Sequence, residues 1–138
     1  MRQQIRYLAA ALMMTTAINA HASLYEECLD KNYMSDNAMA GCNDDEANRI
    51  MAQIRKRMNS IAATRYFNNW ASSKDDFNKL LSEWEKFRDD YCSLNGYAYT
   101  QGKGTISVLQ TSKCRIDMNK RFLDDVEMIV KIYQENRT

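Results

Sequence analysis

Four cysteines stand at positions 28, 42, 92 and 114, behind an amino-terminal stretch built like an export leader. Arg2 and Arg6 form a positive start, Tyr7 to Ile18 an almost uncharged apolar run, and Ala20-His21-Ala22 a small-x-small cleavage site. That order of parts is a secretory signal peptide. The apolar run is shorter than the roughly 20 residues that span a bilayer. The expectation is cleavage after Ala22 and a single mature domain over residues 23–138, periplasmic or secreted. An even cysteine count in an exported chain reads as a disulfide framework. Four cysteines allow three connectivities, of which Cys28–Cys42 with Cys92–Cys114 is the most local.

Loss of residues 1–22 also removes Arg2 and Arg6, leaving 17 basic against 18 acidic residues and a net charge of −1. Such a domain has no bulk electrostatic reason to bind nucleic acid or an anionic membrane. It also loses His21, the single histidine. A cysteine–histidine catalytic pair is thereby excluded. A zinc site would need all four thiolates, and no C-x-x-C spacing occurs. No metal and no cofactor are expected.

The chain contains no proline, which suits long helices because proline breaks them. A short helix is expected over Leu24 to Met34, then a polar turn from Ser35 to Gly41. A second helix begins near Asn43, with Glu46 completing a capping box. Its apolar face holds Ala47, Ile50, Met51, Ile54, Met58, Ile61 and Ala62 at helical spacing. The aromatic stretch Tyr66 to Trp70 ends this helix or turns the corner. Ser73 and Asp76 cap a third helix from about Lys74 to Leu94, and Asn95-Gly96 stops it. Phe77, Leu80, Leu81, Trp84, Phe87, Tyr91 and Leu94 form its stripe and read as core. Gly96 to Gly104 holds three of the four glycines and reads as a loop. A fourth helix runs from Thr105 to Tyr133, with room for a break near Ser112. The fold class is therefore all-α, a disulfide-stapled bundle of three to four helices.

The segment Trp84-Glu85-Lys86-Phe87-Arg88-Asp89-Asp90-Tyr91-Cys92 resembles the signature of the LprI-type lysozyme-inhibitor family. So do the surroundings: a cysteine pair fourteen apart at Cys28 and Cys42, a glycine-rich turn over Gly102 to Thr105, and Cys114 followed seven residues on by Arg121. Lys103 stands inside a turn that in the family usually reads Gly-Gly-Ser/Thr. The resemblance implies an exported helical protein, and some members of the family have lysozyme as their partner. It also implies structural roles for Trp84, Phe87, Arg88, Asp89 and Arg121.

Lysozyme carries two carboxylates in its cleft, so an inhibitor can occlude it with a protruding loop that brings a cation. On this chain the loop from Gly96 to Thr105 offers Lys103 as that cation and Tyr97, Tyr99 and Thr105 for packing and hydrogen bonds. Arg88 is a further contact candidate, and the acidic clusters could steer a basic partner. Two other readings of the exported domain stand beside this one. One is an immunity or other envelope-binding protein. The second is a hydrolase using the acidic pairs Asp44-Asp45, Asp75-Asp76, Asp89-Asp90 or Asp124-Asp125, most of which are read instead as residues at or near helix starts. No catalytic residue is expected.

Overall fold

The computed structural model describes residues 24–62 and 73–135. The leader over residues 1–22 and the aromatic stretch Tyr66 to Trp70 lie outside these residues, as do the side chains of Ala62 and Tyr133. Among the described residues there are four helices: α1 (24–32), α2 (Asp36–Ala62), α3 (Ser73–Thr100) and α4 (Ile106–Glu135). The expected all-α bundle is what forms. None of these helices is long and apolar enough to cross a membrane.

The disulfides are Cys28–Cys42, with Cα atoms 5.9 Å apart, and Cys92–Cys114, at 5.5 Å. The first staples α1 to α2 and the second closes the α3–α4 hairpin. By the chain-entropy argument, loops of 14 and 22 residues are each worth about 3 kcal/mol of stability. For a domain whose net stability is only about 5–15 kcal/mol, two such staples decide whether it folds.

The long helices do not alternate simply. Asn43 on α2 meets Ser112 on α4, Ala47 meets Asn119, and Arg57 meets Glu127. Contacts displaced by a near-constant 69 to 72 residues mean that α2 and α4 run parallel. α3 runs antiparallel to α4, as the Cys92–Cys114 bond and the Trp84–Phe122 ring contact at 4.5 Å show. α4 is thus the central helix, with α2 and α3 on two of its sides and meeting each other only lightly.

The main core lies between α2 and α4. Ile50, Ile54 and Val126 are fully enclosed there, with Met51, Met58 and Ile116 around them. The α2 stripe read from the sequence is this buried face. Tyr25 of α1 packs on the core and donates to Asn43 Oδ1 at 2.7 Å, while Asn43 Nδ2 donates to Ser112 Oγ at 3.0 Å.

Several boundaries differ from the sequence expectation. α2 starts at Asp36, not Asn43: Ser35 Oγ accepts from the Ala38 amide at 3.3 Å, and Asn43 is buried inside the helix. Gly41 lies in helical conformation with open space beside it, so it breaks nothing. α3 runs past Asn95-Gly96 to Thr100. Gly96 is buried because α4 passes over it; a Cβ there would run into the Thr111 side chain and lie 2.7 Å from the Ser107 carbonyl. α4 continues unbroken through Ser112, whose hydroxyl is satisfied by the Leu109 carbonyl at 2.9 Å. Of the α3 stripe, Leu81 is buried and Trp84 partly so, but Leu80, Phe87, Tyr91 and Leu94 are exposed. Here Arg88 and Cys92 occupy the buried positions instead.

Two consequences can be measured. Gln101 ends α3 in the left-handed region (φ 52°), and the Gly102 amide closes back on the Tyr97 carbonyl at 3.1 Å. This is a helix stop that glycine serves best, so Gln101→Gly should raise unfolding free energy by about 1 kcal/mol in urea titration. The Tyr25 phenol is held above its ordinary value near 10, first by burial and then by Glu46 and Asp117. A raised folded value contributes stability below about pH 10 that is lost as pH rises through it. Tyr25→Phe should therefore cost about 1 kcal/mol at neutral pH, through Asn43, and flatten the fall in melting temperature above pH 10.

Candidate functional site

Two places concentrate the residues singled out by the sequence. The first is a three-helix clamp. Arg88 of α3 is buried and donates through Nη1 to Asn119 Oδ1 on α4 at 3.1 Å. Asn119 is fully buried and passes its own Nδ2 to the Ala47 carbonyl of α2 at 2.8 Å. Arg88 also holds Asp89, with Nε at 2.9 Å. Asp89 in turn accepts from Arg115 Nε at 3.1 Å, and Arg115 Nη1 reaches Asp44 Oδ1 at 3.1 Å.

Asp44, Arg88, Asp89 and Arg115 line a shallow cavity of about 250 Å³ in the furrow over α4 where α2 and α3 meet only lightly. Its chemistry is self-contained. Two guanidiniums face two carboxylates, so no net charge is left for a ligand. Each carboxylate is tied to arginine, so neither is free for acid–base work on a glycosidic bond. Of the four acidic pairs, only Asp75-Asp76 lies in the first turn of its helix. The other three sit inside helices, correcting the reading that most of them mark helix starts.

The second place is one end of the bundle. Because α2 and α4 are parallel, their amino termini lie side by side. Thr105 Oγ1 donates to Asp36 Oδ2 at 2.7 Å and ties the α3–α4 turn to the start of α2. The Asp36 carboxylate sits in the first turn of α2 and against the start of α4, where negative charge is favoured by both helix dipoles. The turn itself is compact. The Lys103 amide donates to the Thr100 carbonyl at 3.1 Å, and Gly102 and Gly104 take φ values of 71° and 82°. The Tyr97 ring lies against Gly102, where a Cβ would collide with it.

This end is apolar and aromatic on its outside. Tyr97 and Tyr99 are 61% and 73% exposed, not on a loop as expected but on the last turn of α3. Tyr33 and Met34, in the turn before α2, are 71% and 83% exposed. Lys103 is the one cation between Tyr97 and Ile106.

The structure thus brings Tyr97, Tyr99, Lys103 and Thr105 together. Arg88 lies nine residues back along α3, about 14 Å at 1.5 Å per residue, and is committed to the clamp. Trp84 packs its ring at a tilt against Phe122, Asp89 joins the clamp, and Phe87 and Arg121 are exposed. Tyr33 is not among the contact residues expected from the sequence, and Met34, which composition reads as core filler, is exposed. The signal was there in two large apolar residues directly before the Ser35-Asp36 helix start.

The clamp makes a prediction. Arg88→Ala removes the donor from Asn119 Oδ1 and a cation from beside Asp89, so it should cost about 1–3 kcal/mol in chemical denaturation.

In comparisons with known proteins, the LprI family model, described as lysozyme inhibitor LprI, matches residues 27–125. Neither the curated proteins nor the solved structures give a match. The matched stretch takes in all four cysteines, the clamp and the exposed end, and the chain belongs to the LprI lysozyme-inhibitor family.

Proposed function

We propose that this protein is an exported, stoichiometric inhibitor of lysozyme that occludes the enzyme's cleft with the end of its bundle. The observation that carries the reading is the family match over residues 27–125. The exposed end supports it with a suitable surface. Tyr97, Tyr99 and Tyr33 offer exposed aromatic area of the kind that anchors interfaces, and Met34 adds a flexible apolar side chain beside Tyr33. Lys103 projects a single cation from a turn tied down at Thr105, so little ordering entropy is lost on insertion. Its counterpart would be the pair of cleft carboxylates. Binding of this kind needs no cofactor and no turnover.

Export precedes this role. Cleavage after Ala22 would deliver residues 23–138 to an oxidising compartment where both disulfides can form. The intact mass of the protein purified with its own leader should correspond to a start at Ser23.

The functional test is a cell-wall clearing assay. The purified oxidised protein is titrated against several lysozyme classes, with a reduced sample as control. Saturation near one-to-one, lost on reduction, is the expected result. Lys103→Ala should then weaken inhibition by about tenfold, the worth of one well-placed ionic contact. Full inhibition by Lys103→Ala would remove the turn from the mechanism while leaving the inhibitor. Absence of inhibition in every class would overturn the function itself and favour an immunity or envelope-binding role.

A further inference from the structure

α3 carries two seams. One, through Phe77, Leu81, Trp84, Arg88 and Cys92, faces α4. The other runs Leu80, Trp84, Phe87, Tyr91, Leu94 and Ala98, with intervals alternating between four and three residues. That is the repeat of a coiled-coil seam. Leu80, Phe87, Tyr91 and Leu94 are 48%, 57%, 48% and 67% exposed. Phe87 is ordered against both neighbours, 6.1 Å from Trp84 and 6.1 Å from Tyr91. The strip lies on the flank of α3 away from α2, since Glu85, which pairs with Arg55 of α2, is on the opposite flank. It is therefore separate from the clamp.

We propose that a second copy of this chain docks on this strip, α3 against α3′, antiparallel about a two-fold axis near the middle of the helix. The rim chooses the occupant. Along the outer edge of the strip stand Lys79, Glu83, Lys86 and Asp90, all exposed. Their signs alternate, and their intervals are four, three and four. Such a row is its own complement when reversed: Lys79 falls opposite Asp90′ and Glu83 opposite Lys86′, and the symmetry repeats both pairs. In a parallel two-fold copy this edge would face the α4 flank of the partner helix instead of its own counterpart. A two-fold interface must be self-complementary in this way. The same axis lays Leu80 alongside Phe87′ and Tyr91′ and buries the aromatic row on both sides. The arrangement leaves the two exposed ends pointing apart, about 40 Å from one another by the 28-residue length of α3. A dimer of this kind presents both ends at once.

The test uses the whole protein and is independent of lysozyme. Sedimentation equilibrium should show a concentration-dependent monomer–dimer equilibrium, and Phe87→Glu should abolish the dimer while circular dichroism stays helical. Two charge variants read the rim without touching the core. Lys79→Glu with Lys86→Glu makes it wholly acidic, and Glu83→Lys with Asp90→Lys makes it wholly basic. Each alone should dimerise at least about tenfold more weakly, and a mixture of the two should recover association as a heterodimer. A wild-type protein that stays monomeric, a Phe87→Glu variant that still dimerises, or charge variants that fail to pair would each overturn the proposal. A monomeric wild type whose Phe87→Glu variant loses lysozyme inhibition would assign the strip to lysozyme instead. A monomer whose Phe87→Glu variant melts at lower temperature would assign it to the chain itself.

Discussion

The architecture depends on one buried amide. Asn119 sits on the central helix with no access to water, and its two polar ends are matched by the other two long helices. A polar side chain enclosed in this way is costly unless every partner is in place. It therefore acts as a register pin. Sliding α3 by one turn would withdraw the Arg88 guanidinium, and sliding α2 would withdraw the Ala47 carbonyl. Apolar packing of Ile, Met and Val tolerates neighbouring registers far better. The Arg88–Asp89–Arg115–Asp44 chain extends the pin outward until its last groups are half in water, so the charge of Arg88 is answered without a wholly dry ion pair.

From that register the rest of the shape follows. With α2 and α4 held parallel, their amino termini coincide at one end, and only there can Asp36 and Thr105 meet. The two disulfides lie on the same side of the clamp as this end. Cys28–Cys42 fixes the turn carrying Tyr33 and Met34, and Cys92–Cys114 fixes the hairpin carrying Tyr97, Tyr99 and Lys103. Two turns that are far apart in sequence thus become one surface, each anchored by its own covalent bond. Reduction should loosen this end before the α2–α4 core, because both bridges lie toward this end and neither joins α2 to α4.

Much of this was legible in the residues. The α2 stripe from Ala47 to Ile61 is the buried face, since small and aliphatic residues at helical spacing have no better use. The even cysteine count and local spacing led to the disulfides that form. The errors share a cause: local rules were overruled by what another helix needs. Asn43 looks like a cap, yet it is drawn inside to bridge Tyr25 and Ser112. Gly96 looks like a stop, yet it is a notch that lets α4 approach. Phe87 and Tyr91 look like core, yet the inward position between them belongs to Arg88, whose partner lies thirty-one residues away in sequence. No periodicity argument ranks an arginine above a phenylalanine for burial.

That inversion bears on what the family signature means. The run from Trp84 to Cys92 supplies the ring that packs against Phe122, the guanidinium that satisfies Asn119, the carboxylate that gathers Arg115, and the thiol that closes the hairpin. Each of these contacts holds helices together, and none lies at the exposed end. A motif of this kind identifies the scaffold. The end that the scaffold presents is free to differ, because the turn is constrained at its base by Thr105 and in its backbone by Gly102 and Gly104, but not at Lys103. Tip side chains can then vary while the clamp beneath them stays the same.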